Sequence, residues 1–423
     1  MTKHDKMSIA RVIARLNVGG PAIQAIMMTA DLRRRGYQTL LVTGEVALGE
    51  ASMEYLAEAN NVTPVKITSM SREISLVRDI RTLRSLISIF REQRPTIVHT
   101  HTAKAGTLGR IAAVLTGVPI RVHTFHGHVF SGYFSPAVTR LFLTIERFLA
   151  KHTDCIIAIS DSQRKELVEV YKVAPEAKVV TIPLGFDLDP FLGVGTPEGS
   201  FRTAIGATPS QPLVGWVGRL TAIKAPFSLI DCAAAMRRHS LVPRFVMIGD
   251  GELRQECSAK IAREGLHDVV SLAGSLRELP AVYSDLDFVV ATSLNEGTPV
   301  ALLEAMASGK AIISTDVGGV RDLMVGRGQN ANGIEVFENG ILVECGGVKL
   351  VNAIEYLLRN PGHSQTMGQA GREFVKERFS QSRLTDDLAG LYESLARTKL
   401  CSTESAAVDK AELSLISTDE RML

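Results

Sequence analysis

The chain has 423 residues, of which 45% are hydrophobic, 22% charged and 5% aromatic, so it is a soluble globular type rather than a collagen-like, coiled-coil or disordered one. This length predicts two folded cores. The net charge of +2 is uneven, because residues 1–200 hold 24 Lys and Arg against 18 Asp and Glu, whereas the remainder holds 23 against 27.

Short apolar runs alternate with helix-length amphipathic segments through the first half, which is the pattern of βαβ units in a mostly parallel sheet. The first unit is a strand near 9–14, a turn at Gly19 and Gly20, and a helix over 22–35 that Gly36 ends. The other strands predicted in this half lie at 39–43, 96–99, 120–124, 155–159 and 179–182. These elements predict an α/β domain over residues 1–191.

One helix of this half is predicted to have a basic outer face, because Leu76, Leu83 and Phe90 repeat every seven residues and arginines fall off that apolar stripe. The segment from Lys66 to Lys151 holds 13 basic against 4 acidic residues. This excess favours a phosphorylated or membrane-bound partner, with a solvated surface as the alternative.

Residues 192–211 are rich in Gly, Pro, Ser and Thr, which predicts an interdomain linker. A second α/β domain is predicted over residues 212–380. A helix over 381–398 is expected to return toward the first domain, and the polar segment 399–423 is expected to be poorly ordered. The strands predicted in the second domain lie at 213–217, 244–248, 269–273, 288–291 and 311–314.

The five cysteines form no C-x-x-C pair, which argues against a disulfide framework or a structural zinc site and predicts a reducing cytosol. Arg11 and Arg15 interrupt the N-terminal apolar segment, so no signal peptide is predicted. No run of about eighteen uncharged apolar residues occurs, and any membrane contact is therefore expected to be peripheral.

The segment 293–319, SLNEGTPVALLEAMASGKAIISTDVGG, places Glu296 in a turn and Glu304 eight residues later in a helix. A helix starting at Pro299 would direct free N–H groups and its positive dipole end at the turn. The residues predicted to frame this anion site are Gly297, Thr298, Pro299 and Val300. Sugar hydroxyls can donate to carboxylates beside a phosphate, so a nucleotide-sugar suits the site. On spacing alone, a solvent-facing Glu304 and a helix-capping Glu296 are the alternative.

Two cations follow the first strand of the second domain, Arg219 and Lys224 in VGRLTAIKAP. This is the carboxyl edge of the predicted sheet, where ligands bind in open α/β folds, and two cations there can neutralise a diphosphate. Solvated side chains are the alternative. Glycine turns also follow two further strands, in IGDGELR and in LAGSLRELP, and such turns alone are weak evidence of a nucleotide site.

The first domain contributes two candidate segments. Gly19 and Gly20 would let a ligand approach the backbone, although NVGGPA lacks G-x-G-x-x-G and a tight turn without a ligand is the alternative. The run 122–134 holds His123, His126 and His128 among aromatic and glycine residues. Neither cysteine nor carboxylate accompanies these histidines, so no metal site is predicted.

Together these motifs resemble family-4 glycosyltransferases, which have the retaining GT-B fold. The segment 293–319 resembles their E-x7-E signature, and VGRLTAIKAP resembles G-R-L-x-x-x-K-G with Ala225 in place of the last glycine. The resemblance runs from about Ile9 to Arg397. It implies an α/β protein of GT-B architecture, with two Rossmann-like domains facing a cleft and a C-terminal helix returning to the first.

The resemblance also implies roles for the candidate residues. Arg219 and Lys224 would hold the donor diphosphate, Glu296 would meet the sugar and Glu304 the ribose. His126 would lie near the reacting sugar. The residues expected to line or face the nucleotide-sugar are Gly19, Gly20, Gly249, Ser275, Leu276, Gly297, Thr298, Pro299 and Val300.

Three smaller expectations complete the site. His99 and His101 are expected to shape the same cleft, and Lys104 to meet an acceptor phosphate. The pairs Asp187/Asp189 and Asp285/Asp287 spell Asp-x-Asp, a metal-binding motif of the other glycosyltransferase fold. Both pairs also fit structural strings of this family, and we interpret them as structural.

The expected reaction moves a sugar from a nucleotide diphosphate, with a UDP-sugar as the expected donor, to an acceptor hydroxyl with retention and without a metal or other cofactor. The acceptor is expected to be a lipid-linked or cell-surface glycan precursor at the cytoplasmic face of a membrane. The apolar residues Phe130, Tyr133 and Phe134 would join the basic region on that anionic surface, and no nucleic-acid partner is expected. The alternatives are a nucleotide-sugar 2-epimerase of the same fold and a catalytically dead sugar-nucleotide-binding protein.

Overall fold

The computed structural model describes residues 7–17, 19–46, 52–71, 75–126, 136–195, 199–345 and 347–399. Contacts divide the chain into two compact units. The N-terminal unit comprises residues 1–183 together with 384–423, and the C-terminal unit comprises residues 184–383. Each unit is built around its own sheet, as the chain length predicted.

The sheet of the N-terminal unit contains seven strands among the described residues. These are β1 (Ser8–Arg15), β2 (Gln38–Gly44), β3 (Val65–Ile67), β4 (Ile97–His101), β5 (Ile120–Phe125), β6 (Cys155–Ala158) and β7 (Val179–Thr181). Their order is β3-β2-β1-β4-β5-β6-β7, and every pairing is parallel. The order reverses between β1 and β4, as in a doubly wound fold. Only β3, three residues long, was missed by the sequence pattern.

Helices cover this sheet. They are α1 (Gly20–Arg34), α2 (Glu54–Ala59), α3 (Leu76–Gln93), α4 (Ala103–Leu115), α5 (Pro136–Lys151) and α6 (Asp161–Lys165), which continues as a π-helical turn over Glu166–Val170. The predicted end of α1 is confirmed, because Gly36 has a left-handed φ of 85° and its N–H donates to the Arg33 carbonyl oxygen at 2.8 Å.

The apolar stripe predicted on α3 is only partly buried. Leu86 and Phe90 lie in the core, whereas Leu76 and Val77 are exposed by 77% and 60%. The arginines of α3 are exposed, as predicted. The first turn of α3 therefore presents apolar and basic side chains together at the surface.

The C-terminal unit has a larger sheet, with eight strands among its described residues. These are β8 (Leu213–Val217), β9 (Arg244–Ile248), β10 (Val270–Gly274), β11 (Phe288–Ala291), β12 (Ala311–Thr315), β13 (Gln329–Ala331), β14 (Ile334–Val336) and β15 (Gly340–Val343). Their order is β10-β9-β8-β11-β12-β15-β14-β13. The first five strands along the chain, β8–β12, match the predictions, whereas β13, β14 and β15 were missed.

The helices of this unit flank that sheet. They are α7 (Asp189–Leu192), α8 (Ser200–Ala204), α9 (Pro226–Met236), α10 (Arg254–Arg263), α11 (Leu279–Asp285), α12 (Val300–Ala307), α13 (Gly347–Arg359) and α14 (Pro361–Arg378). One apolar core joins α9, α10 and α13 to the sheet, with Trp216 among its largest fully buried side chains.

The predicted linker differs from the structural division, which falls between Pro183 and Leu184. Residues 199–204 are held on the C-terminal unit because the backbone N–H groups of Gly199, Phe201 and Arg202 donate to the Asp285 carboxylate at 2.9–3.2 Å. The Arg202 guanidinium also pairs with Asp287 at 2.6 Å. These contacts confirm the structural interpretation of this Asp-x-Asp pair.

A last helix, α15, spans residues 381–399. From Leu384 onward it belongs to the N-terminal unit. Leu384, Leu388 and Tyr392 pack in one core cluster with Ile9 of β1 and Ile97 of β4. The segment 400–423, expected to be poorly ordered, lies outside the described residues.

Four cysteines, Cys155, Cys232, Cys257 and Cys345, are free thiols. No helix in the described part of the chain is long and apolar enough to cross a membrane.

Candidate active site

The candidate residues of the C-terminal unit gather at one edge of its sheet. Parallel strands end at the same edge, so the loops after β8, β9, β10 and β11 lie side by side. These loops carry Arg219 and Lys224, Gly249, Ser275, and Glu296 respectively. The hydrogen bond from the Gly249 N–H to the Gly274 carbonyl oxygen, 2.8 Å, joins two of them directly.

Lys224 and Glu296 form an ion pair. The Lys224 Nζ atom lies 2.5 Å from Glu296 Oε1, and the Ser293 hydroxyl donates to the same carboxylate oxygen at 2.6 Å. The backbone N–H of Leu294 donates to the Ile223 carbonyl oxygen at 2.8 Å. The two sequence motifs, 72 residues apart, therefore meet in one constellation.

Thr292 fixes the position of the Lys224 loop, a role the sequence did not indicate. Its hydroxyl lies 2.9 and 3.0 Å from the carbonyl oxygens of Lys224 and Ala225, and it accepts the Trp216 indole N–H at 2.9 Å. Trp216 is almost completely buried. The core thus holds the backbone beneath the lysine.

Arg219 differs from Lys224 in being exposed, with no ion-pair or hydrogen-bond partner for its side chain among the described residues. The backbone of the Arg219 loop packs directly against two glycines, Gly249 and Gly251. A Cβ atom on Gly249, whose φ is 130°, would lie 2.0 Å from the Gly218 carbonyl oxygen, and one on Gly251 would lie 2.5 Å from that of Leu220. Gly249 therefore has a packing role beneath the arginine.

The turn before α12 has the expected shape with one correction. The helix begins at Val300, and Pro299 is the residue before it, with ψ 95°, rather than a member of the first turn. Gly297 is exposed and Thr298 half-buried. The Gly318–Gly319 turn closes on this segment, because Cβ atoms there would lie 2.0 and 2.1 Å from the carbonyl oxygens of Glu296 and Gly297.

Glu304 is not an ordinary solvent-facing helix residue. Burial raises its pKa to about 7, although the hydrogen bond from the Tyr283 hydroxyl, 3.0 Å from Glu304 Oε2, acts in the opposite direction. Tyr283 is completely buried and was not identified from sequence. Ser275 is exposed and Leu276 half-buried where the chain leaves β10.

In the N-terminal unit, Gly19 and Gly20 stand at the start of α1, after the carboxyl end of β1. A Cβ atom on Gly20 would meet no atom within 4 Å among the described residues. Packing within the described structure therefore does not require glycine at this position.

His126 follows the last residue of β5 and belongs to a buried network of polar side chains. Its Nε2 atom lies 2.8 Å from His101 Nδ1. His101 in turn contacts Arg11, which is almost completely buried and also contacts His99 and Tyr392. The structure thus brings together His99, His101 and His126, and adds Arg11 and Tyr392, which sequence reasoning missed.

Two other expectations in this unit have different outcomes. His123 is an ordinary hydrogen-bonded residue, since its Nδ1 atom lies 2.9 Å from the Thr100 hydroxyl. Lys104, expected to meet an acceptor phosphate, pairs with Asp79 of α3 at 2.6 Å, and its contact with a phosphate stays a prediction. His128, Phe130, Tyr133 and Phe134 lie outside the described residues. Across the described ranges, no group of three His, Cys, Asp or Glu side chains is arranged to hold a metal ion.

The chain matches two family models. Glycosyltransferase Family 4 matches residues 18–190, and Glycosyl transferases group 1 matches residues 211–360. One relative, UDP-Gal:alpha-D-GlcNAc-diphosphoundecaprenol alpha-1,3-galactosyltransferase of Escherichia coli, is 31% identical over 70% of this chain and 77% of its own. The chain therefore belongs to the family-4, group 1 glycosyltransferases and is a glycosyltransferase.

Other similar proteins agree with this assignment. The capsular polysaccharide biosynthesis glycosyltransferase CapM of Staphylococcus aureus is 27% identical over 86% of this chain and 92% of its own. Among solved structures, Anabaena HepE in complex with UDP has a TM-score of 0.75 at 20% identity, covering 92% of this chain and 100% of that one. Sucrose-phosphate synthase from Thermosynechococcus elongatus also has a TM-score of 0.75 at 20% identity, covering 93% and 100%. The fold is therefore GT-B, as expected.

Proposed function

We propose that this glycosyltransferase moves a hexose from a UDP-sugar to a hydroxyl of a polyprenyl-diphosphate-linked saccharide, with retention of configuration, during assembly of a cell-surface glycan. The observation that carries the proposal is the constellation at the carboxyl edge of the C-terminal sheet. It holds Arg219, which is exposed and has no side-chain partner among the described residues, in the same loop as Lys224 of the Lys224–Glu296 pair, and the start of α12 follows Glu296.

This constellation suits a departing diphosphate. Arg219, Lys224 and the free N–H groups at the start of α12 can stabilise the negative charge that develops on the leaving group. Glu296 accepts hydrogen bonds from Lys224 and Ser293 through one oxygen, Oε1, in this structure. Oε2 is thus the oxygen available for a sugar hydroxyl, and Glu304 beside Tyr283 would accept the ribose hydroxyls.

The choice of donor and acceptor follows the relatives. The Escherichia coli relative is a galactosyltransferase named for UDP-Gal and a GlcNAc-diphosphoundecaprenol acceptor. Anabaena HepE was solved with UDP and with UDP-glucose. We therefore propose UDP-galactose and UDP-glucose as the first donors to test.

We also propose that transfer needs no metal. The two cations and the helix start supply the charge that a divalent ion would otherwise provide to the diphosphate. Activity should survive a chelator, and strict dependence on added magnesium or manganese would overturn this part of the proposal.

The test incubates the purified protein with a panel of nucleotide sugars, with and without GlcNAc-diphosphoundecaprenol, and follows products by mass spectrometry. A hexosylated lipid supports the proposal. Conversion of the nucleotide sugar without an acceptor would indicate the 2-epimerase instead, and nucleotide binding without any product would indicate a dead binding protein. Arg219→Ala should lower product formation by roughly a hundredfold or more. The matched control is Arg238→Ala, because Arg238 is an exposed arginine after the C-terminal end of α9.

We further propose that the N-terminal unit contacts an anionic membrane surface. The first turns of α3 expose Leu76, Val77 and Ile80 among exposed arginines. Each basic residue near an anionic bilayer contributes about 1 kcal/mol, and apolar side chains add burial in the headgroup region.

Co-sedimentation with phosphatidylglycerol vesicles tests this contact. Binding should be strong at low salt and weaken at high salt, because the attraction is screened. Changing Arg78, Arg81 and Arg84 to Gln should release the protein, whereas the same change at Arg238, Arg327 and Lys376 of the C-terminal unit should not. If the wild-type protein does not co-sediment with these vesicles at low salt, the membrane contact is refuted, whereas the glycosyltransferase assignment stands.

A further inference from the structure

The buried network around Arg11 determines where protons lie on its histidines. Arg11 is in β1, His99 and His101 are alternate residues of β4, and His126 follows β5. An Arg11 guanidinium nitrogen lies 3.1 Å from His101 Nε2. Guanidinium groups only donate hydrogen bonds, so His101 Nε2 must be an acceptor without a proton.

The buried imidazole of His101 is neutral. Burial lowers the pKa of His101 well below its usual value, and nearby His99 and Arg11 lower it further. A neutral imidazole carries one proton, so His101 carries it on Nδ1. That N–H therefore donates to His126 Nε2, which lies 2.8 Å away.

The imidazole of His126 is also neutral and carries a single proton. Burial lowers its pKa to about 3, and Arg11 contributes to the decrease. Because Nε2 accepts from His101, the single proton of neutral His126 lies on Nδ1. This Nδ1 atom is shielded from solvent and has no hydrogen-bond partner within the described residues. Buried donors are seldom left unpaired, and a catalytic role is one of the explanations for those that are.

Tyr392 and His99 complete the other half of the network. The Tyr392 hydroxyl lies 2.6 Å from His99 Nδ1, and Arg11 donates to the same hydroxyl and, at 3.4 Å, faces the same nitrogen. His99 Nδ1 is thus an acceptor, and its Nε2–H donates to the Thr124 hydroxyl at 2.7 Å. Arg11 has no carboxylate partner among the described residues, so its charge is available to polarise these rings.

We propose that Arg11 is a positioning residue that holds His126, through His101, in the tautomer bearing its proton on Nδ1, so that His126 donates a hydrogen bond to an oxygen of the transferred sugar. In this role His126 is neither a general base nor a cation. The role in transfer rests on the proposed function, whereas the tautomer rests on the hydrogen-bond geometry together with the neutrality of the buried imidazole rings.

The first test reads the tautomer without any turnover. The full-length protein is labelled with ¹⁵N in its histidine rings, and the His126 signals are identified by their loss in His126→Gln. We expect a protonated, pyrrole-type Nδ1 and an unprotonated, pyridine-type Nε2. A proton on Nε2 in the folded wild-type protein would overturn the proposal, whatever the enzyme turns over.

The second test compares two variants of His101. Glutamine can partly replace this histidine, because its side-chain amide also has one hydrogen-bond acceptor and one donor end, whereas leucine has neither. His101→Gln should keep the Nδ1–H tautomer of His126, and His101→Leu should lose it. For transfer, we expect His101→Leu to lower kcat by roughly tenfold or more with donor KM within about twofold, and His101→Gln to restore most of it. Equal losses in His101→Leu and His101→Gln would contradict the proposal that His101 fixes the tautomer of His126.

Arg11→Lys and Arg11→Met extend the comparison. The lysine can still donate to His101 and should retain the tautomer, whereas methionine should release it in any variant that folds. If wild type shows the expected tautomer but His126→Ala transfers sugar at the wild-type rate, the role of His126 in transfer is refuted. Absence of transfer by the wild-type enzyme from any nucleotide sugar would instead refute the proposed function, and the tautomer result would stand.

Discussion

The Lys224 ammonium lies 2.5 Å from the Glu296 carboxylate, and this contact joins the two motifs of the C-terminal unit. The lysine side chain is about one-quarter exposed and the glutamate about one-tenth. A ligand diphosphate that binds Lys224 would therefore meet a cation already oriented by a neighbouring carboxylate. Arg219 has no such partner in the described structure, so no neighbouring carboxylate there orients its side chain.

Arg219→Ala and Lys224→Ala should each lower the turnover of the proposed donor by roughly a hundredfold or more, because each removes a cation from the developing diphosphate charge. Lys224→Ala also leaves Glu296 without its partner, so it should additionally weaken donor binding by like-charge repulsion. Steady-state kinetics with Arg238→Ala as control measures both effects. Near-normal turnover in the two variants would refute their assignment to the donor site.

The two glutamates should have separable roles. Glu296→Gln should lower kcat, because it alters the group proposed to meet the sugar. Glu304→Gln should chiefly weaken binding of UDP at the ribose. Isothermal titration with UDP, combined with kinetics at saturating donor, distinguishes the two, and equal losses of UDP affinity would contradict this division.

UDP affinity should depend on the ionisation of Glu304. The pKa of this carboxyl is raised to about 7, so it is mostly protonated at pH 6 and mostly ionised at pH 8. Ribose hydroxyls donate to the ionised form of Glu304. The UDP affinity of the wild-type protein should therefore rise by about tenfold from pH 6 to pH 8, beyond any rise that Glu304→Gln shows over the same pH range. The comparison with Glu304→Gln removes the contribution of UDP's own titration, because UDP titrates in the same way in both experiments. A pH dependence unchanged in Glu304→Gln would show that another group is responsible.

His126→Ala should severely reduce transfer while UDP affinity stays roughly unchanged, because the proposed hydrogen bond is made to the sugar and not to the nucleotide. His123→Gln is a suitable comparison, since the His123 ring bonds to the Thr100 hydroxyl and makes no hydrogen bond to Arg11, His101 or His126 among the described residues. Wild-type transfer by His126→Ala would remove His126 from the site.

Ala225 is held in the left-handed conformation, with φ 45° and ψ 54°, where the related motif has glycine. A Cβ atom in this conformation costs roughly 1–2 kcal/mol. Ala225→Gly should therefore stabilise the C-terminal unit by about 0.5–1 kcal/mol, since the added freedom of the unfolded chain offsets part of the gain. Urea unfolding measures the change, and Ala225→Val should destabilise. Lower stability of Ala225→Gly would show that the strain is absent.

Sequence periodicity predicted the buried parallel strands well, because β8, β9 and β11 are apolar runs between clear turns. It missed Gln329–Ala331 and Gly340–Val343, whose strands are short and contain polar or glycine residues. The loops with Arg219, Lys224 and Glu296 were predicted because motifs record local spacing. Thr292, Tyr283, Arg11 and Tyr392 were missed because their roles depend on contacts between distant parts of the chain.

The path of α15 affects the order in which the chain can fold. The C-terminal unit is continuous from Leu184 to Arg383, whereas the N-terminal unit needs residues that follow it. Arg11 and Tyr392 are 381 residues apart, so the first-synthesised unit lacks a core helix until the whole C-terminal unit has been translated. Domains usually fold in order from the N-terminus during synthesis. Here the second unit is the first that can be completed on the ribosome, and a chain truncated before residue 384 would leave the apolar partners of Leu384 and Leu388 uncovered.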